Sequence, residues 1–326
     1  NPYPYNELEM LAQEYMDLNP NVDVQILDAS KSKEREALIP LLKAKKAPDI
    51  IYQNFGVYKN SNLNENWVIP VDEYFNMPNK YVEGNSKWMD LFNPMWMNAM
   101  RSMDDKIRFV PIDSIPIGIM YNKDLFKEAG ITDAPVTYTD FIEVQDKLNT
   151  IGVIPYLPIY HWYDIFLEGS VLSAKVPELD VLTKNGVIDA QEYARGYEKG
   201  IFSLDMPEYR DWLRLMKEKA KYYPKGWETT DVFASFVQEK VAMIESVGIH
   251  MRMIRDDTQR NFEIGIAPFP LVTTAESQYA DKGVIRGNAG YSTTWQISNS
   301  AVEKDTVEEC IDLSQYADKG VIRGNA

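Results

Sequence analysis

The sequence predicts an α/β protein built from two lobes. The chain has 326 residues, about twice the length of a typical domain, which is more than one hydrophobic core usually serves. Its predicted helices alternate with predicted strands, the pattern of sheets covered by helices. With 45% hydrophobic and 25% charged residues, the composition is that of a globular protein.

The first third of the chain alternates helix and strand twice. Apolar side chains at helical spacing predict a helix over 7–18, and the alternating segment 22–27 predicts a strand. A second helix is predicted over 33–45, and the apolar run 49–53 reads as a buried strand after it.

The middle of the chain carries clear start and stop signals. Segments 108–112 and 118–122 predict two strands, followed by a short helix that Gly130 ends. Thr137 and Asp140 have the spacing of a capping box, which predicts the start of a further helix.

Strands resume late in the sequence. Apolar segments predict strands within 153–160, 241–247 and 262–270, and a long polar, mostly helical stretch is predicted over about 163–240. This order continues the α/β pattern.

One segment of 13 residues occurs twice. The sequence at 277–289 recurs without change at 314–326. Repeat proteins need at least three units, and their units diverge. We therefore expect the second copy to be an artefact and leave it out of the predicted fold.

Charge and composition exclude several classes of function. The formal net charge of -15 disfavours nucleic acid and anionic lipid as partners, and no apolar run approaches the ~20 residues of a membrane-spanning helix. The single cysteine, Cys310, excludes an intrachain disulfide and is expected to be a buried thiol. Two widely separated histidines and the lack of a calcium-loop pattern predict no metal site. No signal peptide or lipid-attachment cysteine precedes Asn1, as expected for a mature or trimmed chain.

Several segments, in one order, carry a family resemblance. They are APDIIYQNFGVY (47–58), FVPIDSIPIGIMYNKDLFKEAGI (109–131), PVTYTDF (135–141), FASFVQEKVAMIESVGIH (233–250) and FEIGIAPFP (262–270). Together they resemble the family 1 extracellular solute-binding proteins, the group that contains the maltose- and oligosaccharide-binding proteins. The resemblance covers roughly residues 1 to 313.

The chain departs from this family at a few positions. Glu239 stands where the family has a glycine before Lys240, His250 stands near the usual tryptophan, and Tyr138 replaces another tryptophan. The family's strand before the first helix and its helices after the segment near Cys310 are not in this sequence, so no ligand contact is carried over from them.

The resemblance implies a two-lobed periplasmic-binding-protein-like fold (type II), with the ligand in a cleft between two α/β lobes. Lobe one would comprise 1–112 plus 267–313 and lobe two 118–262, with hinge crossings at 113–117 and 263–266. It implies a monomer without a cofactor that closes around a carbohydrate, expected to be an oligosaccharide, and delivers it to the permease subunits of an ABC transporter. The expected location is extracellular, as a membrane-anchored lipoprotein or in the periplasm.

Candidate ligand contacts follow the general rule that α/β sheets bind ligands at the carboxyl ends of their strands. A sugar needs amides and carboxylates for its hydroxyls and flat rings for its C–H faces. The predicted ligand-binding residues are Gln53, Asn54, Tyr58, Asp113, Ser114, Tyr160, His161, Trp162, Tyr163, Gly248, His250, Asn288, Gly290 and Tyr291.

Structural roles compete with several of these assignments. Core packing at a strand end would also explain the run from Tyr160 to Tyr163, His250 would also suit a structural role, and Asp113 would also suit a turn. Trp88 and Trp96 are expected to form the buried stripe of a helix and are left out of the site.

Two other functional classes remain as alternatives. A glycosidase would need two converging carboxylates, and the available acids, Asp113, Glu168 and Glu245, lie at different predicted strand ends without a catalytic motif. The same fold would also serve a polyamine, a peptide or an iron complex. One carboxylate in the predicted loops favours a carbohydrate over a polyamine, and no enzyme activity is predicted.

Overall fold

The computed structural model describes residues 7–27, 34–54, 67–113, 117–280 and 293–318. Their contacts form two compact units. Unit 1 contains the described residues up to 113, together with 182–186 and 293–318, and unit 2 contains the others.

Helices dominate both units. In chain order they are α1 (Glu7–Leu18), α2 (Glu34–Lys43), α3 (Asp72–Phe75), α4 (Pro94–Ala99), α5 (Lys123–Glu128), α6 (Tyr138–Thr150), α7 (Trp162–Leu172), α8 (Val176–Leu179), α9 (Ala190–Glu198), α10 (Pro207–Lys219), α11 (Val232–Val237), α12 (Gly248–Arg255), α13 (Asn299–Lys304) and α14 (Val307–Asp318). Single 3-10 turns lie at Trp88–Leu91, Ser173–Lys175 and Trp227–Thr229. No helix in the described ranges is long and apolar enough to cross a membrane.

The strands are β1 (Ile50–Asn54), β2 (Val110–Asp113), β3 (Ile117–Asn122), β4 (Ile154–Leu157), β5 (Val241–Val247), β6 (Ile264–Ala267) and β7 (Thr293–Ile297). They form one sheet in each unit. This mixed α/β architecture confirms the predicted fold class.

The sheet of unit 1 has the order β1-β7-β2, with β7 antiparallel to both neighbours. Its apolar face packs against α14 and the segment around the first 3-10 turn. The core there includes the fully buried Phe75, Trp88 and Phe109. Burying three such rings supplies several kcal/mol of hydrophobic stabilisation each, by the usual ~25 cal/mol per Å² of apolar area.

The sheet of unit 2 has the order β4-β5-β3-β6. β4 runs parallel to β5, whereas β3 is antiparallel to both β5 and β6. The first six residues of β5 are buried, as expected for a strand covered by helices on both faces. Helix α6 packs on this sheet and begins with the predicted capping box, in which the Thr137 and Asp140 side chains each accept a backbone N–H.

The return of the chain to unit 1 lies later than expected. We assigned residues from 267 onward to lobe one, but 267–280 belong to unit 2. The reason is that β6 pairs with β3, and the chain after it pairs with the segment that leads into α6 of the same unit. Leu271 N–H donates to Val136 O, and Leu271 O accepts from Tyr138 N–H, both at 2.9 Å.

Two local predictions were wrong. Residues 22–27 form no strand; the Val24 N–H instead contacts Met16 Sδ at 3.3 Å. Trp88 and Trp96 do not share a helix, because Trp88 lies in a 3-10 turn and Pro94 starts the separate helix α4. Trp88 is buried as expected, whereas Trp96 is only partly buried.

The repeated peptide takes two conformations. Residues 277–280 of the first copy form a turn, whereas 314–318 of the second complete the buried end of α14. Tyr316 packs edge-on against Tyr15 and Tyr81, with ring centroids 5.5 and 5.1 Å apart. Residues 314–318, which we left out of the predicted fold, are therefore part of the core of unit 1.

The repeat provides a matched pair of substitutions. Tyr316 is 2% exposed, and we expect Tyr316→Ala to lower the free energy of unfolding by about 3 kcal/mol or more, as for a buried aromatic ring. Tyr279→Ala, at the same position of the partly exposed first copy, should cost clearly less. Urea unfolding followed by tryptophan fluorescence measures both. Equal losses would show that the end of α14 does not pack as described.

Candidate functional site

Two parallel strands bring two predicted ligand segments together in unit 2. The carboxyl ends of β4 and β5 lie at one edge of the sheet, because these strands are parallel neighbours. The loop after β4 leads through Tyr160 and His161 into α7, and α12 begins at Gly248 directly after β5. The two segments chosen by the strand-end rule therefore lie side by side.

A buried carboxylate holds the loop after β4. Glu245, on β5, is fully buried and accepts backbone N–H groups from Ile159 at 2.8 Å, from Tyr160 at 2.7 Å, from His161, and from Tyr163 at 3.3 Å. An ionised carboxylate is a pure acceptor with about four lone-pair sites, so four donors satisfy it. This residue is a structural anchor of the loop.

Tyr160 covers the imidazole of His250. Their rings are stacked, with centroids 5.4 Å apart at 18°, and Tyr160 Oη lies 3.3 Å from His250 Nε2. The Phe233 ring, 4.6 Å from that of His250, packs against it as well. His250 is only 7% exposed, whereas Tyr160 is 52% exposed. Tyr160 therefore presents an accessible aromatic surface on a buried support.

His250 keeps one polar atom without a partner. Its Nδ1 is buried and has no hydrogen bond within the described ranges. Burial lowers the pKa of His250 from its ordinary value, because the imidazolium loses more hydration than the neutral ring. Folding therefore favours the neutral form of this side chain.

His161 is fixed in an unusual backbone conformation. Its φ is +59°, in the left-handed region that costs a residue with a side chain about 1 kcal/mol or more. The ring Nδ1 lies 2.8 Å from Asp164 Oδ2, and the ring meets that of Trp227 edge-on at 5.5 Å. The side chain remains 53% exposed. Contacts on the backbone and on the ring thus hold an accessible imidazole in place.

Asp164 also forms a buried ion pair with Lys219. The Lys219 Nζ donates to Asp164 Oδ1, and both side chains are buried. The rings of Tyr156, Tyr163 and Tyr223 surround the ammonium, with centroids 5.5 to 5.9 Å from Nζ. Burial lowers the pKa of Lys219, and the neighbouring Asp164 opposes that shift. The aromatic faces add cation–π stabilisation.

Tyr163 has a packing role in place of the predicted ligand contact. It is fully buried, stacks on Phe269 with centroids 4.9 Å apart, and donates its hydroxyl to Pro270 O at 3.1 Å. The helical period turns it inward at the start of α7. Trp162 is partly buried against the same core.

The predicted residues of unit 1 are described only through their backbones or lie outside the described residues. Asn54 and Asp113 end β1 and β2, and both pair with Thr293 of the central strand β7. Gln53 precedes Asn54 and pairs with Thr294. These strand ends therefore meet at one edge of the sheet. The predicted contacts outside the described residues are Tyr58, Ser114, Asn288, Gly290 and Tyr291.

Two aromatic residues of this site escaped the sequence analysis. Trp227 follows Gly226, whose φ of +78° starts a 3-10 turn, and Phe233 lies in the first turn of α11. Phe233 belongs to one of the segments that carried the family resemblance, which was the available signal. For Trp227 the Gly-Trp turn before a helix was the only cue.

The two candidate acids of unit 2, Glu168 and Glu245, are occupied by structural contacts. Glu168 accepts the hydroxyl of Tyr209, and Glu245 is saturated by the loop. Within the part of the chain that the structure describes, no three His, Cys, Asp or Glu side chains converge as a metal site would require. In unit 1, burial raises the pKa of Cys310 to about 12, so this thiol is protonated and inert at neutral pH.

The buried imidazole predicts a pH dependence of stability. The lowered pKa of folded His250 means that the unfolded chain binds the proton more readily below about pH 6.5, the ordinary value. Its contribution is therefore complete above pH 6.5 and is lost as the pH falls through the folded pKa. We expect His250→Gln to make the unfolding midpoint fall less steeply between pH 7 and pH 5. Urea unfolding of the two proteins at several pH values tests this. The same dependence of the unfolding midpoint on pH in both proteins would contradict the prediction.

Comparison with known proteins identifies the family. The family model described as bacterial extracellular solute-binding protein matches residues 2–313. No curated protein matches the chain. Solved structures do, at identities that establish the fold.

Three of these structures show the extent of the likeness. A family 1 extracellular solute-binding protein from Bifidobacterium longum subsp. infantis is 16% identical with a TM-score of 0.67, over 97% of this chain and 75% of that one. Apo RafE from Streptococcus pneumoniae is 19% identical with a TM-score of 0.65, over 94% and 72%. An ABC substrate-binding protein from Listeria monocytogenes, in complex with cycloalternan, is 14% identical with a TM-score of 0.65, over 95% and 72%. The match over nearly the whole chain shows that this protein belongs to the bacterial extracellular solute-binding protein family.

Proposed function

We propose that this protein captures a carbohydrate outside the cell and delivers it to the permease of an ABC importer. The observation that carries the proposal is the pair of half-exposed rings, Tyr160 and His161, held on buried supports at the strand ends of unit 2. Structurally similar proteins with bound cycloalternan or raffinose, and a chitin oligosaccharide binding protein, support the ligand class.

The chemistry of the site suits a sugar. The accessible face of Tyr160 and the nearby Trp227 offer flat apolar surfaces for the C–H faces of a pyranose. The imidazole of His161 and the hydroxyl of Tyr160 offer hydrogen-bonding groups for hydroxyls that lose water on binding.

The protein is proposed to bind its ligand without altering it. A glycosidase needs one free acid and one free base or nucleophile flanking the bond. Of the three acids considered, the two in unit 2 are held by structural contacts: Glu245 by four backbone amides and Glu168 by the Tyr209 hydroxyl. Each would have to leave a structural contact before it could act on a substrate.

The ligand class is tested with a panel of glycans. We expect raffinose, cycloalternan or chitin oligosaccharides to raise the melting temperature, since a ligand that binds only the folded state stabilises it. Isothermal titration calorimetry of the best of them then gives the affinity. A panel without any shift or heat, repeated with xylo-oligosaccharides and maltodextrins, would remove the carbohydrate proposal.

Tyr160 is the residue whose substitution should weaken the binding of that ligand. We expect Tyr160→Ala to weaken binding by about tenfold, equivalent to ~1.4 kcal/mol, because the stacking surface is removed. The variant should lose only a little stability, because the ring is half-exposed and packs mainly on His250. Tyr197→Ala, an exposed tyrosine of α9 in the same unit, is the matched control and should leave the affinity unchanged. Equal affinities for the two variants would assign the ligand to other residues.

A further inference from the structure

A line of polar contacts joins a buried cation to an exposed imidazole. Lys219, near the end of α10, donates to one carboxylate oxygen of Asp164, and the other oxygen lies 2.8 Å from His161 Nδ1. The Asp164 main-chain oxygen also accepts from Trp212 Nε1 at 3.0 Å. The carboxylate is thus held from two sides and from its own backbone.

This arrangement decides where the imidazole proton lies. A carboxylate paired with a lysine is an acceptor only, so the ring must present N–H to it, which places the proton on Nδ1. In the neutral ring the other nitrogen, Nε2, is then a bare acceptor. In water the neutral imidazole of histidine favours the opposite form, with the proton on Nε2. The Asp164 contact therefore reverses the default.

The ring is also restrained independently of that contact. The backbone N–H of His161 donates to Glu245, and its backbone is in the left-handed region. The imidazole ring packs edge-on against Trp227. Strain of this kind persists where the surroundings over-determine it. Within the described part of the chain Nε2 has no hydrogen-bond partner, and the side chain is more than half exposed.

We propose that the buried Lys219–Asp164 pair positions His161 as its Nδ1–H tautomer, so that Nε2 accepts a hydrogen bond from a ligand hydroxyl. This inference rests on the proposed function and deepens it. The ligand group at this point must be a donor. A neutral sugar hydroxyl meets that need, whereas the carboxylate of a uronic acid has no hydrogen to donate to Nε2.

A buried pair does this better than a surface aspartate would. An exposed carboxylate exchanges its contacts with water, and exposed ion pairs hold their geometry weakly. Asp164 and Lys219 are both removed from solvent, and three tyrosine rings surround the ammonium. Breaking such a pair is costly because a lone buried charge remains, so the carboxylate keeps its place.

The first test reads the tautomer directly on the protein without ligand. The chain has two histidines, so a protein labelled with 15N in the imidazole rings gives two sets of signals, and His250→Gln assigns them. At pH 8, where an ordinary imidazole is neutral, long-range 15N–1H correlation spectra distinguish the protonated nitrogen from the bare one. We expect Nδ1–H for His161. An Nε2–H ring would overturn the proposal, whatever the protein binds.

The second test removes the pair as a unit. Asp164→Leu/Lys219→Met takes out both charges and avoids a lone buried ion, and replacement of buried pairs by apolar residues is often tolerated. We expect His161 to revert to Nε2–H and the affinity for the best panel glycan to fall about tenfold. Asp146→Leu/Lys221→Met makes the same exchange at an exposed pair of unit 2 and should change neither. An unchanged tautomer in the first double variant would overturn the role of the pair. If that variant does not fold, the spectra of the unmodified protein still decide whether the proton lies on Nδ1.

The third test adds ligand to the labelled protein. Saturation with raffinose, cycloalternan or chitin oligosaccharide should shift the His161 Nε2 signal, and oligogalacturonate should bind more weakly than these neutral glycans. A bound glycan that leaves Nε2 unmoved, or tighter binding of oligogalacturonate, would overturn the hydroxyl assignment. If no glycan binds, the proposed function fails and the hydroxyl assignment falls with it, while the tautomer spectra still decide the positioning role.

Discussion

The hydrogen bonds of Glu245 are the constraint on which the site of unit 2 depends. A loop that leaves a buried strand exposes several backbone N–H groups near the protein interior, and each needs a partner. Glu245 supplies one acceptor group to four of them from the adjacent strand β5. The parallel pairing of β4 and β5 puts the carboxylate within reach. Because the backbone is satisfied by one buried group, the side chains of Tyr160 and His161 are free to face solvent.

The need of buried polar groups for partners also explains the polar interior behind the loop. A buried lysine is expensive unless it is paired, and Lys219 has both a carboxylate and three aromatic faces. The carboxylate of Asp164 in turn contacts the exposed imidazole of His161. Hydrogen bonds therefore connect the core of unit 2 to its candidate site. A substitution of Lys219 in the core would change the contacts of Asp164 and, through them, those of His161, without any change in the sheet.

Local sequence signals predicted the fold wherever helix starts, helix ends and buried strands were clearly marked. The capping box at Thr137, the left-handed Gly130 and the alternation of helices with buried strands all describe backbone preferences that tertiary contacts reinforce. The site was only partly readable. The strand-end rule predicted Tyr160, His161 and His250, and the structure brings these residues close together, but Trp227 contacts His161 in a way that no sequence spacing encodes. Tyr163 was assigned to the ligand because sequence proximity does not tell which side of a helix start faces the core.

The repeated peptide shows why local sequence signals do not predict tertiary contacts. Ser314 to Asp318 has the same sequence as the segment that starts at Ser277, yet only the second copy is helical. Its helix is continued from residues before it, and its side chains meet partners of unit 1: Trp88 Nε1 donates to Asp318 at 2.9 Å, and Tyr316 packs between two other tyrosines. In the first copy, Ser277 instead accepts the backbone N–H of Ala280 in a turn. Intrinsic propensity is identical in the two places, so the difference in structure is entirely the work of flanking sequence and packing. The contacts around His161 belong to the same category, which is why they had to be seen in three dimensions.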